Sequence, residues 1–498
     1  MSEAKNATAN PSPASGTTDP ALAGIEPVSV WRHFGALARI PRKTGNEEGV
    51  RAYVKAFAEE RHITCEENEV GDLLLRANPE AKGQIVGLQA HMDMVCVSKG
   101  DEPYDFANEP IRLKREGDFI CADGTSLGAD NGIGVAYALA LVEEEQGPIE
   151  VLLTVDEEEG FSGIEAVAPG WLRAKTLINL DSEEEGYLTI ASAGARDFQI
   201  RCPAERHELD VSVAPIGLKV DGLKGGHSGM EIHRGRTNAL KVVGKLLSIA
   251  KDCGGVVYGV GGGMAPNVIP SEAKAVVGVP PERVAELEKR SAELVQALIT
   301  EEDPTLRVDL STPQESRKPL TKESSDRLVQ LIDQVPSGIL VASPRDPAQP
   351  FVSNNLGIVK ELPDGAFQLT LMSRSPACEE LEGLADRFGE IAKRNGGELD
   401  AGKLVAGWAP DYDSPLLARF RRKYKEQYGE DAKILEIHAG LECGALQGKY
   451  PGMDLISVGP DITGAHSTEE KVSVDSTRRT YDLVRAVIKE LHEAAPTE

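Results

Sequence analysis

Apolar residues recur along this chain with two different periods. In NEEGVRAYVKAFAEERH (46–62), Val50, Tyr53, Val54, Phe57 and Ala58 fall at helical spacing, which predicts an amphipathic helix. QIVGLQAHMDMVCV (84–97) reads as a strand running into a polar tip, and NGIGVAYALALVEEE (131–145) as an apolar helix behind a glycine-rich turn. IEVLLTV (149–155) and TLINL (176–180) are short apolar runs bounded by turn residues, the pattern of buried strands in an α/β sheet. Much later KILEIHAG (433–440) and MDLISVGP (453–460) resume that pattern. A last helix, STRRTYDLVRAVIKELHEA, follows with Asp475 as its expected N-cap.

The middle of the chain differs. NALKVVGKLLSIAKD (238–252) sets Ala239, Val242, Val243, Leu246 and Ala250 on one face. AKAVVGV (273–279) and AFQLTLMSR (366–374) read as strands, and ERVAELEKRSAELVQALI (282–299) and EELEGLADRFGEIAKRNGG (379–397) as helices. Such pairs suit an α+β layer inserted into an α/β domain. The expected fold is therefore an α/β catalytic domain, a mixed sheet flanked by helices, built from 26–195 and 403–498. The inserted α+β domain is expected at 196–402. YGVGGGM (258–264) lacks the GK[ST] ending of a phosphate loop and reads as a hairpin or flexible turn.

Composition narrows the function classes. At 498 residues the chain exceeds the roughly 250–300 at which one core stops growing, so two domains are expected. A net charge of −26 argues against nucleic acid or an anionic membrane as partner. Residues 1–25, rich in Ser, Thr, Pro, Asn and Ala, read as a disordered tail without a signal peptide, and no run reaches the ~20 apolar residues of a membrane span. Seven cysteines without a CxxC pair indicate reduced thiols and a cytoplasmic setting. His33, His62, His207 and His492, in helical or polar contexts, read as surface residues.

Polar clusters gather where the apolar runs stop. His91 and Asp93 lie two apart, on one face of an extended chain. Asp130 sits in DGTSLGADNGIG, just before a helix. Glu157 and Glu158 follow IEVLLTV in the run DEEE, Asp181 follows TLINL, and His466 follows DLISV. Taken singly, these read as caps, turns or solvated loops. Together, two imidazoles and at least three carboxylates at strand ends fit a pair of borderline divalent ions such as zinc, with cobalt or manganese as alternatives.

The ordered motifs LQAHMDMV, GADNGIG, DEEEG, NLDSEEEG, GGHSGMEIH, HAGLECG and GAHSTEEKV, spread over about residues 27–493, resemble the cytosolic aminoacyl-histidine dipeptidases. These belong to a larger group of dizinc aminopeptidases, carboxypeptidases and aminoacylases. The resemblance implies hydrolysis of unblocked dipeptides, aminoacyl-histidine dipeptides among them, by a metal-bridging hydroxide. It implies that His91 and Asp181 bind one metal, His466 and Glu158 the other, and that Asp130 bridges both. Glu157 is then the general base and Asp93 orients His91. With three consecutive glutamates the register could slide by one, but Asp156 and Gly160 align Glu157 and Glu158 with the family pair.

The inserted domain would act as a lid and dimerisation domain of a homodimer. It would carry His227 as a donor to the reacting oxygen, with Asn267 and Arg374 binding the substrate's main chain or carboxylate. His438 and Glu442 either line the pocket or mark a strand-to-helix junction with a satisfied buried acid. Rival readings are an aminoacylase or broader peptidase on the same site, and a non-catalytic scaffold, which the full set of ligands and base argues against. A calcium protein is disfavoured by the two imidazoles.

Overall fold

The computed structural model describes residues 19–100, 104–208, 212–313, 315 and 317–494. Contacts divide the chain into two units: Met1–Ala191, Pro410–Glu436 and Leu441–Glu498 in the first, Ser192–Ala409 and Ile437–Gly440 in the second. Of the stretch expected as a tail, residues 1–18 lie outside the described residues. From Asp19 onward the chain is packed. The Asp19 side chain caps a short turn at Pro20–Leu22, and Leu22 and Ile25 are buried. Among the described residues no helix is long and apolar enough to cross a membrane.

The first unit is built on a mixed eight-stranded sheet. Its centre is three parallel strands, Ile149–Thr154, Val86–His91 and Thr176–Asn179, in that order, with Asp454–Ser457 added parallel to the third. Every residue of the first three is buried, which is why their sequences run apolar rather than alternating. Register pairs His91 with Thr154 and Gln89 with Asn179, so the polar tips that follow all leave from one edge of the sheet. The helix Ala129–Glu144 is buried on nearly every side, as an all-round apolar helix must be. At Gly134 it approaches the sheet so closely that a Cβ would lie 2.6 Å from the Leu180 carbonyl oxygen. A small antiparallel sheet of four strands carries the turn from Thr463 to Lys471 that contains His466.

The second unit is a nine-stranded sheet whose paired strands run antiparallel. The helices Ala239–Asp252, Lys322–Gln334 and Cys378–Arg394 pack their apolar stripes on it. Its core centres on residues such as Phe198 and Phe388, whose rings meet edge to face at 5.1 Å.

Three local expectations are corrected. The last helix, Val474–Glu493, is capped by Ser473, whose hydroxyl accepts from Ser476 N, and Asp475 instead occupies the first turn. The glycine-rich YGVGGGM is largely strand, Val256–Gly262, with a register shift at Val257/Gly259. There Gly262 lies against Ala273, where a Cβ would stand only 2.8 Å from the alanine side chain. His33 is fully buried and shares a 2.8 Å hydrogen bond with the Tyr53 hydroxyl, while His492 is half-buried.

Because Phe388 fills the middle of the second unit's core, Phe388→Ala is expected to destabilise that unit by about 3–5 kcal/mol. Calorimetry should show its unfolding transition moving down; an unmoved transition would mean the ring contributes little to packing.

Candidate active site

At the sheet edge the strand tips converge. His91 ends its strand with the ring buried, and its Nε2 lies 3.1 Å from Asp130 Oδ1, 3.4 Å from Asp181 Oδ1 and 3.8 Å from Glu157 Oε2. His466 Nε2 lies 3.1 Å from the other oxygen of Asp130 and 2.9 Å from Glu158 Oε2. Asp130 thus faces a different imidazole with each oxygen. His91, Asp130 and Glu158 each offer a donor atom within 4.8 Å of the others.

His466 and Asp156, the residue just before Glu157, sit on strained backbone. Asp156 and His466 have φ of 55° and 60°, left-handed values that cost non-glycine residues on the order of 1–3 kcal/mol. Asp156 closes its turn by accepting from Ser162 N and Oγ, which turns Glu157 and Glu158 inward and leaves Glu159 exposed. Asp93 then ties two tips together. Its Oδ1 is 3.3 Å from His91 Nδ1, its two oxygens accept from Glu157 N and Glu158 N at 3.1 and 3.2 Å, and Thr44 Oγ1 donates to it at 2.9 Å.

Sequence reasoning missed two further residues. The buried Glu470 carboxylate accepts the backbone N–H groups of Leu127, Gly128, Ala129 and Asp130 at 2.7, 2.9, 2.7 and 3.2 Å. It thereby joins the His466 turn to the Asp130 turn. The buried Arg42 guanidinium donates to the carbonyls of Met92, Asp93 and Gly128, joining the His91 tip to the same turn. Glu470 lies inside GAHSTEEKV, but its spacing resembles any solvated charge, and Arg42 carries no motif at all.

Burial opposes the charge on Asp130, Glu157 and Asp181. It dominates at Asp181, which repulsion from Asp130 and Glu158 helps lift to about 6 despite the nearby His91. Glu157 is raised well above the carboxylate range by burial, which outweighs His91, with Asp181 and Glu442 repelling its charge. At Asp130 the hydrogen bonds from His466 and His91 overcome burial and hold the carboxyl far down. The same contacts from Asp130 and Glu158 push His466 up to about 11.

The donor set fits metal ions. Imidazole nitrogens and carboxylates converge, Glu158 Oε1 is buried without a hydrogen-bond partner, and among the described residues no lysine or arginine pairs with Asp130, Glu157, Glu158 or Asp181. Cations would supply what the side chains lack.

Glu442 is also buried. It accepts from Thr154 Oγ1 at 2.7 Å and from Gln89, which in turn accepts from Asn179, so the three parallel strands are linked beneath their tips. The second unit holds His227, Asn267 and Arg374. The pairing of Gly226–His227 with Val268–Ile269 brings Asn267 beside His227, and Ser228 N donates to the Asn267 carbonyl at 2.8 Å. Gly229 lies between His227 and Arg374: a Cβ there would stand 3.0 Å from His227 Cε1 and 3.2 Å from Arg374 Nε.

A mixed α/β sheet whose parallel strand tips gather histidines and carboxylates has the makings of a metal-dependent enzyme. The chain belongs to Peptidase family M20/M25/M40, which it matches over residues 87–490. It is 34% identical over 482 residues to the cytosol non-specific dipeptidase of Escherichia coli (strain K12), covering 94% of this chain and 99% of that one. Among solved structures it resembles an aminoacylhistidine dipeptidase from Vibrio alginolyticus, with a TM-score of 0.87 and 32% identity over 96% of this chain and 98% of that one. A tripeptidase from Staphylococcus aureus, at 15% identity and a TM-score of 0.54 over 94% of this chain and all of that one, shares the fold alone.

The shifts make a pH prediction for the metal-free protein. The fully buried Glu442 is raised from 4.5 to about 8 by its burial, so the folded state keeps a proton that the unfolded chain releases above 4.5. His466, raised from 6.5 to about 11, contributes stability that is present below 6.5 and fades above it. Both signs agree: stability falls as pH rises from about 5 to about 8. Chelated protein should show a falling Tm across that window, and added divalent metal should flatten the fall. A Tm that rises with pH after chelation would contradict the assignment.

Proposed function

We propose that this metal-dependent peptidase hydrolyses unblocked dipeptides, including aminoacyl-histidine dipeptides, at a centre that holds two zinc-type ions. The observation that carries the reading is Asp130, with one oxygen 3.1 Å from His91 Nε2 and the other 3.1 Å from His466 Nε2. A carboxylate with a separate imidazole on each oxygen has the layout of a ligand shared by two ions. Asp181 would complete one site beside His91, and Glu158 the other beside His466. Imidazole and carboxylate together suit zinc, with cobalt or manganese also accommodated. When bound, such ions lower the pKa of a shared water and polarise the carbonyl under attack.

The chain's own groups then divide the remaining work. Glu157, without a share in the His466 pair, takes the proton of the attacking water and returns it to the leaving amine. Its burial among like charges raises its proton affinity, the direction a base requires. The exposure of Glu159 supports this register over one slid by a residue. Asp93 holds both the His91 ring and the turn that carries the base. His227 accepts from Met230 N at Nδ1, at 3.1 Å, which leaves the proton on Nε2, free to donate to the developing oxyanion. Asn267 and Arg374 hold the substrate's main chain and carboxylate. The two relatives above 30% identity, both named dipeptidases and both matched over nearly their whole length, support the substrate class. A cytoplasmic location and a homodimer formed through the second unit complete the proposal.

Glu157→Gln should keep its metal, measured by atomic absorption, while kcat falls by a factor on the order of 10²–10⁴. Wild-type turnover by that variant would move the base elsewhere. Asp130→Asn should instead lose metal. In a substrate panel, rapid hydrolysis of N-acyl amino acids with no turnover of aminoacyl-histidine dipeptides would overturn the dipeptidase reading.

A further inference from the structure

The second unit buries a cation that no anion accompanies. Arg374 is only 7% exposed, its Nε has no hydrogen-bond partner, and its Nη2 donates to nothing stronger than the Met372 thioether at 3.3 Å. Among the described residues no carboxylate lies within ion-pair distance of it; Asp197 acts on it only through space. A buried guanidinium ordinarily has a hydrogen-bonded anion, because its desolvation is otherwise uncompensated.

Three features surround it. On adjacent strands Ser353 is the register partner of Arg374. The Ser353 hydroxyl lies 2.7 Å from His438 Nε2. Gly229 closes the group: a Cβ there would stand 2.6 Å from the His438 carbonyl oxygen and 3.2 Å from Arg374 Nε, so no larger residue leaves room. His438 reaches this place because Ile437–Gly440 packs with the second unit although the chain on both sides of it belongs to the first.

We infer that His438, acting through Ser353, is a positioning residue for Arg374, the side chain proposed above to hold the substrate's carboxylate. The inference rests on the dipeptidase reading. A guanidinium presents parallel N–H groups that match a carboxylate two to two, provided its plane is fixed. The long arginine side chain has the rotamer freedom to lose that plane, and the Ser353–His438 pair beside its base restricts it. Burial, then the positive charges of Arg374 and His233, push His438 down to about 3. The imidazole is therefore neutral at working pH, and it can wall the guanidinium without repelling it. His227, whose Cε1 would lie 3.0 Å from a Cβ on Gly229, stands at the other side of the same glycine. Carboxylate recognition and the proposed oxyanion donor thus share one rigid platform.

The test compares a free dipeptide with its C-terminal amide in wild type, His438→Ala, His438→Gln and Ser353→Ala. Expected for His438→Ala is a KM for the free dipeptide raised about tenfold or more, a kcat within about twofold, and a comparable loss of preference for the free acid over the amide. Gln at 438, which can still hydrogen-bond to Ser353, should restore part of that preference. Ser353→Ala, which deletes one hydroxyl, should move KM in the same direction and serves if the alanine variant at 438 does not fold. Metal content should stay unchanged throughout. Wild-type KM and acid preference in both alanine variants would overturn the inference while leaving the dipeptidase reading standing, as would a fall in kcat at unchanged KM. No turnover of any dipeptide by the wild-type enzyme would overturn both.

Discussion

Like charge held out of water is the constraint around which the first unit is arranged. Asp130, Glu157, Glu158 and Asp181 lie around two imidazoles beside the tips of strands that are buried along their whole length. Ionised carboxylates so placed repel one another and lose hydration, and each loss favours protonation. The structure relieves this in two ways. Imidazoles divide the acids into pairs, and backbone N–H groups are turned toward the carboxylates that must not move. Asp93 takes two of those groups and Glu470 four. Divalent ions are the remaining compensation, and the metal dependence of the family follows from the same electrostatics.

Rigidity at the site comes from bonds between loops rather than from any one element. The His91, Glu157 and Asp130 tips each arise from a different part of the chain, and each is tied to its neighbour by one buried polar side chain. Arg42 joins the first to the third, Asp93 the first to the second, and Glu470 the third to the His466 turn. Below them Glu442, Gln89, Thr154 and Asn179 link the strands themselves. Buried hydrogen bonds of this kind cost much to break, since the partner is left unsatisfied. The left-handed backbone at Asp156 and His466 persists because such ties over-determine it.

The second unit inverts the problem. Its notable charge is positive and, among the described residues, has no carboxylate at ion-pair distance: Arg374, bounded by Gly229 and set near a neutral His438. One unit gathers carboxylates around two imidazoles, and the other holds a buried guanidinium.

Much of this was legible from residue order. Strands and helices could be placed because burial imposes periods of 2 and 3.6 on apolar residues. The helix at 48–60 buries the same five side chains its spacing predicts, and the strands at 86–91, 149–154 and 176–179 lie within the apolar runs. The polar tips were legible because charge after a buried strand is unusual, and the resemblance supplied their expected roles. Local pattern failed where tertiary contact decides the outcome. His33 looks like a surface residue until Tyr53 and Phe57 close over it, and YGVGGGM looks like a turn until its neighbours pair with it as a strand. Arg42 and Glu470 look like ordinary charges, Glu442 is legible only as a candidate buried acid without its partners, and His438 seems to belong with its chain neighbours. Their significance lies in partners far along the chain, from 50 residues away for Met92 with Arg42 to 353 for Gln89 with Glu442. Sequence by itself determined which elements form and which residues could carry the chemistry, because those follow from local periodicity and side-chain type. Only the tertiary structure decided which charges are held still, because a hydrogen bond depends on position in space and not on distance along the chain.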